Sequence, residues 1–225
     1  MKLNIKELLD FFDDKKDSQK GDANAIMALL GEDLNASIFR HFKKNAIEIL
    51  DDSVLPGTSK GKWLDRWIVD GKKLYQCEIK NWAATAIGGK QLAFDADDEQ
   101  IKVVSNYHWN RELRSNFSNK VKHPNGVTKV LLKMKPPKKY ADISKIEPLL
   151  IFWMPISSDK NGLDPLSIIF VKSLHLPIET NFDNLYIFSV SLYLRSLVKK
   201  GLLKIDLELP HFEHRMKILN LFQKI

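Results

Sequence analysis

Residues 60–82 read KGKWLDRWIVDGKKLYQCEIKNW. Two short runs, Lys62–Val69 and Leu74–Asn81, are rich in Trp, Ile, Val and Tyr, and Asp70, Gly71 and Lys72 separate them. Aromatic and β-branched residues suit a pleated, half-buried surface, and Asp-Gly is a strong turn signal, so the stretch predicts a β-hairpin. Side chains alternate along a strand. Gln76, Glu78 and Lys80 therefore share one face of the second strand, and Tyr75, Cys77 and Ile79 share the other. Asp65, on the first strand, should land near Glu78, a step or so out of register. Two carboxylates and one ammonium are expected to converge.

The segments around the hairpin set its context. Upstream, residues 3–14 (LNIKELLDFFDD) alternate apolar pairs with charges at helical spacing, and a polar stretch follows. Asp22 or Asn24 can cap a second helix, whose Ile26, Leu29, Leu30, Leu34, Ile38 and Phe42 recur every three or four residues up to about Asp51. The Gly/Ser/Thr/Lys-rich residues 55–62 read as a loop. Downstream, 98–118 looks helical, and Thr128–Met134 alternates cleanly enough to predict a strand whose Lys129, Lys133 and Lys135 face one way. Leu149–Met154 and Ser167–Lys172 read as buried strands. Asn184–Lys199 reads as a long helix, Leu202–Leu209 as a strand and Phe212–Phe222 as a closing helix. This order is not a regular βαβ alternation. It predicts an α/β or α+β fold with a mixed central sheet flanked by helices.

Composition bounds the function classes. The 225 residues carry 35 Lys and Arg against 28 Asp and Glu, a net charge of +7. With 44% hydrophobic and 28% charged residues, wholesale disorder is excluded. One cysteine, Cys77, excludes an intramolecular disulfide and a cysteine-rich zinc site, and suggests a reducing compartment. The longest apolar run, Leu149–Ile156, is far short of the roughly 18 residues of a membrane span. The acidic turn within MKLNIKELLDFFDD fits neither a secretory signal nor a transit peptide, so a cytoplasmic protein is expected. The basic surplus favours an anionic partner, with nucleic acid the commonest.

Two carboxylates form a hard oxygen site suited to Mg²⁺ or Mn²⁺, and the Ile79 carbonyl can add a further oxygen. Such a metal takes the rest of its shell from water and a substrate phosphate. Lys80 beside it can orient or deprotonate the attacking water, or offset transition-state charge. Hydrolysis of a phosphodiester fits this set.

Asp65 followed by Glu78-Ile79-Lys80 resembles the PD-(D/E)XK nuclease superfamily, the restriction-endonuclease-like fold. Twelve residues separate the Asp from the Glu. Leu64 stands where the motif's nominal Pro would be. The resemblance covers about residues 22–95, with the strand at 128–134 as a further candidate, and it implies an αβββαβ core. It divides the chain into an N-terminal helix and linker (1–20) and a nuclease-like domain (21–225), with its core at about 22–135 and a C-terminal elaboration at 140–225. It further implies Glu32, on the helix before the hairpin, as an added metal ligand, and Lys90 or Gln91 as a polar residue following the Glu-X-Lys strand. The expected activity is that of a Mg²⁺-dependent (or Mn²⁺-dependent) DNA endonuclease in restriction, phage defence or a mobile element, working as a homodimer or in a larger defence complex. The alternative is the same fold used as a non-catalytic nucleic-acid-binding or assembly subunit.

Each candidate has a plainer reading. Glu78 and Lys80 can form a solvated pair worth about 0–1 kcal/mol, although their apolar flanks argue for burial. Asp65 can simply pair with Arg66 or a lysine. Glu32 sits on a helix where acids are ordinary. Lys129, Lys133 and Lys135 line a DNA groove or protect an edge strand. Lys60 and Lys62 contact phosphate or belong to an ordinary loop. Trp109 reads as core, and Arg111 and Arg114 as surface. His211 and His214 lie three apart beside Glu213; a zinc site there needs a third ligand that the sequence does not place, so they read as structural. Gly88-Gly89-Lys90 lacks the spacing of a phosphate-binding loop.

Overall fold

Central strands buried on both faces organise the protein around one mixed sheet. A computed structural model describes residues 1–12, 20–49, 65–80, 91–114, 127–143, 145–174, 176 and 179–212, except for the side chains of 20–29, 112 and 114. The elements in chain order are β1 (Lys2–Asn4), α1 (Ile5–Phe12), α2 (Lys20–Lys43), β2 (Ile47–Glu48), β3 (Arg66–Asp70), β4 (Lys73–Lys80) and α3 (Asp98–His108). After α3 come a π-helical turn (Trp109–Arg114) and two 3₁₀ turns (Thr128–Leu131 and Lys138–Tyr140). Then follow β5 (Lys145–Phe152), β6 (Leu166–Phe170), β7 (Asn184–Ser189), α4 (Val190–Lys199) and β8 (Lys204–Asp206).

The main sheet has six strands in the order β2-β3-β4-β5-β7-β6. β3 runs antiparallel to both β2 and β4, β4, β5 and β7 are mutually parallel, and β6 returns antiparallel to β7. The expected hairpin is present, with Asp70 paired to Lys73. Gly71 takes φ +60° and Lys72 does not go positive, the φ pattern of a type II′ turn. The parallel partnership of β4 and β5 needs a long crossover, which α3 occupies.

The two faces differ. Tyr75, Cys77 and Ile79 of β4, Leu149 and Ile151 of β5, and Tyr186 and Phe188 of β7 pack with α1, α2 and α4 in the largest core, which also holds Phe39 and Trp153. Leu150, Phe152, Leu185 and Ile187 face the opposite way, toward Leu113, Val127, Val130 and Leu131. That second face is covered by 3₁₀ turns and extended chain. Ile5, Leu9 and Phe12 of α1 belong to the same core as the sheet, and β1 pairs with β8 in a separate two-stranded sheet. No helix among the described residues is long and apolar enough to cross a membrane.

Four sequence expectations are corrected. Asn184–Lys199 is not one helix: residues 184–189 form a strand, and the helix starts at Val190. Its apolar run is buried on both sheet faces, where periodicity cannot separate strand from helix. Ser189 marks the switch, its hydroxyl accepting from Leu192 N and donating to the Met154 carbonyl at 2.8 Å. Thr128–Met134 is not a strand. It opens as a 3₁₀ turn with Val130 and Leu131 buried, and its backbone groups are taken by the Gln76 side chain instead of a neighbouring strand. Leu202–Leu209 shrinks to a three-residue strand, and the helix expected from residue 3 begins at Ile5, after β1.

Candidate functional site

The register Arg66↔Cys77 and Trp67↔Gln76, carried one step further, sets Asp65 across from Glu78. The strand pairing ends at Arg66 and Cys77. Asp65 N still donates to the Cys77 carbonyl (3.0 Å), but the next β4 amide, Ile79 N, is bound by the Asp65 carboxylate, with Oδ2 at 2.6 Å. Arg66 Nη1 donates to the Asp65 carbonyl at 2.6 Å, so the residue is pinned through its backbone as well as its side chain. Trp153 N donates to the Lys80 carbonyl from the β5 side. Backbone groups alternate along a strand, so Ile79 presents its carbonyl to the other side, the gap where Asp65 sits.

Glu78 is 3% exposed. Lys80 Nζ lies 2.6 Å from its Oε1, and Lys129 Nζ lies 3.3 Å from its Oε2. Burial raises the Glu78 carboxyl above the ordinary carboxylate range and the nearby Asp65 raises it further, while Lys80 and Lys129 oppose the shift. A carboxylate this deep requires counter-charge, and here two ammoniums provide it. The pair is therefore not the solvated surface contact of the plainer sequence reading.

Lys129 reaches Glu78 because a glutamine holds the covering chain in place. Gln76, wholly buried on the same face of β4, donates from Nε2 to the Val130 carbonyl and to the Leu132 carbonyl (2.9 Å), and its Oε1 accepts from Met134 N at 3.3 Å. These bonds replace the ladder partners that an edge strand would have had. Lys129 is thereby turned inward, while Lys133 and Lys135 remain exposed.

The other expected residues are distributed as follows. Glu32, on α2, pairs with Arg66 Nη1 at 3.2 Å, and the same nitrogen holds the Asp65 carbonyl. Gln91 is exposed, in irregular chain before α3. Trp109 packs against the second core, and Arg111 donates to the Tyr107 hydroxyl at 2.7 Å. Lys60, Lys62 and Lys90 lie outside the described residues, as do His214 and the loop before the hairpin. Cys77 is buried, and burial pushes its thiol well above the ordinary range.

The sequence reading missed two features. One is the inward role of Lys129, for which the only local signal was a basic residue between apolar ones. The other is a buried group formed by Asp33, Glu48 and His211, drawn from three distant segments.

The chain matches no family model, no curated protein and no solved structure.

Proposed function

We propose that this protein is a Mg²⁺-dependent nuclease with a restriction-endonuclease-like fold, hydrolysing DNA phosphodiester bonds. The observation that carries the reading is the meeting of Asp65 and the Glu78–Lys80 strand just beyond the last β3–β4 pair, with the Asp65 carboxylate on the Ile79 amide. The element order supports it. One helix, three antiparallel strands, a second helix and a strand parallel to the third make the αβββαβ sequence that the superfamily resemblance implies.

The donor set fits a hard divalent cation. Asp65, Glu78 and the Ile79 carbonyl offer oxygens only; burial first and the neighbouring Asp65 second raise the Glu78 carboxyl, and a cation between the two carboxylates would oppose both effects. Mg²⁺ held there would supply Lewis-acid polarisation of a phosphate and a more acidic bound water. The chain's own groups do the rest. Asp65, pinned by Ile79 N and Arg66, is a preorganised ligand. Lys80, held by Glu78, sits where it can position an attacking water or steady charge on a phosphate oxygen. Lys129 offers a second cation to the same carboxylate. The net charge of +7 and the exposed Lys133, Lys135, Lys138 and Lys139 favour a polyanionic substrate.

The test incubates the protein with plasmid, linear and single-stranded DNA and with RNA, in Mg²⁺, Mn²⁺ or EDTA, alongside Lys80→Ala and Asp65→Asn. The expected result is metal-dependent DNA cleavage that falls at least about 100-fold in both variants, with folding checked by thermal unfolding and DNA binding kept in Lys80→Ala. Binding without cleavage in every condition would replace the nuclease with a binding module. Cleavage surviving both substitutions, or surviving EDTA, would refute the assignment of these residues.

A further inference from the structure

A second cluster, joined through Arg66 to the Asp65 end of the hairpin, does not rest on the nuclease reading. Asp33 comes from α2, Glu48 from β2 and His211 from the helical turn that begins at residue 210. One possible ligand atom from each lies within 4.8 Å of the others. Asp33 and Glu48 are 1% and 4% exposed, while the His211 side chain is 32% exposed and gives the group a route to solvent.

Three observations indicate that something is shared between these atoms. Asp33 Oδ2 accepts from Phe212 N at 2.8 Å, but its Oδ1 is buried without a hydrogen-bond partner among the described residues. His211 Nε2 stands 3.3 Å from Glu48 Oε1 without a hydrogen bond between them, and the same oxygen is in ion-pair contact with Arg66 Nε without hydrogen-bond alignment. Zinc bonds of about 2.0–2.1 Å in a tetrahedron set neighbouring donor atoms about 3.3 Å apart. The charge also leaves room for a cation: Glu48 pairs with Arg66 (Nε 2.8 Å from Oε1) and Arg40 (Nε 3.7 Å from Oε2), Glu32 pairs with Arg66, and Asp33 feels Arg66 electrostatically without an ion pair to it, three acids against two guanidiniums. Arg66 keeps its Nη1 contacts to Glu32 and the Asp65 carbonyl if Glu48 Oε1 turns to an ion.

We infer that Asp33, Glu48 and His211 bind a Zn²⁺ ion whose fourth position is taken by water. Two carboxylate oxygens and one imidazole nitrogen are a donor set that zinc accepts. The ion fastens the turn at 210–212 to α2 and β2, and the Asp33–Phe212 hydrogen bond already orients that turn for it. The sequence alone offered His211 and no further ligand; the fold brings the other two to it.

The test strips the full-length protein with a chelator, restores Zn²⁺, and measures bound metal by mass spectrometry and affinity by competition with a chromophoric chelator. Co²⁺ replaces Zn²⁺ in a parallel sample. The expected result is one Zn²⁺ per chain, a tetrahedral Co²⁺ spectrum and a lower melting temperature after stripping. His211→Ala and Asp33→Asn should each weaken binding by at least about tenfold, while Asp65→Asn and Lys80→Ala keep full stoichiometry. If either ligand variant fails to fold, the Co²⁺ spectrum of the parent decides. Absence of a tetrahedral spectrum, or unchanged affinity in His211→Ala, overturns the site and leaves an imidazolium at His211 as the third cation.

Discussion

Replacing Gln76 by Leu keeps the volume of a buried side chain and removes three hydrogen bonds. The Val130 and Leu132 carbonyls lose their donor, and Met134 N loses its acceptor. Each such bond is worth about 1 kcal/mol net, and a carbonyl stranded in a dry site costs about 1–3 kcal/mol. Val130 is fully buried, whereas Leu132 and Met134 are half-buried and can recruit water. The expected loss is therefore about 2–4 kcal/mol, or on the order of 10 °C in melting temperature for a chain of this size. Gln76→Ala should lose slightly more, because it adds a cavity. Denaturant unfolding followed by tryptophan fluorescence measures the stability, and amide exchange at Met134 reports the clamp directly. If Gln76→Leu lies within about 0.5 kcal/mol of the parent and Met134 exchange is unchanged, the clamp does not hold the covering segment and the explanation for Lys129's position fails.

Three further outcomes follow from the geometry. Arg195 is buried and donates to the Leu92, Ala93 and Phe94 carbonyls at 3.0, 2.8 and 3.3 Å; Arg195→Met should cost about 3 kcal/mol in denaturant unfolding, and Arg195→Lys should recover only part, since an ammonium cannot span the three acceptors. His108, buried with Nδ1 2.8 Å from the Pro155 carbonyl, has its pKa lowered to about 4 by burial. Its neutral form is intact in the folded state above the unfolded value of about 6.5, so stability falls as pH drops from there toward 4, by roughly 2–3 kcal/mol between about pH 7.5 and pH 4.5; His108→Gln should flatten that part of a stability–pH profile, and parallel profiles would contradict the argument. Lys129→Ala removes one of two cations on Glu78, so cleavage assays should show a severalfold lower half-saturating Mg²⁺ concentration together with slower turnover.

Local chemistry made the hairpin readable. Asp-Gly fixed the turn, period-two alternation put Glu78 and Lys80 on one face, and register placed Asp65 opposite them. The mixed sheet followed from the irregular order of the elements, and the two faces of β4 from alternation. Residues 184–189 did not, because a strand buried on both faces has no polar period to separate it from a helix. The 128–134 segment deceived for a different reason. Its alternating lysines imitate a strand, but a side chain 54 residues earlier satisfies the Val130 carbonyl, and such a partner leaves no trace in local sequence. The Asp33–Glu48–His211 group is hidden in the same way, since no spacing rule links α2, β2 and the turn at 210.

The hairpin has a kinetic consequence. Asp65 and Glu78 are joined by a tight two-residue loop, so their meeting demands little chain closure. Lys129 arrives only after β4 has found β5 across a long crossover and the covering chain has docked on Gln76. During refolding, the acidic half of the constellation can therefore assemble before its second ammonium, leaving Glu78 to share Lys80 alone until the slower, non-local half of the molecule closes over it.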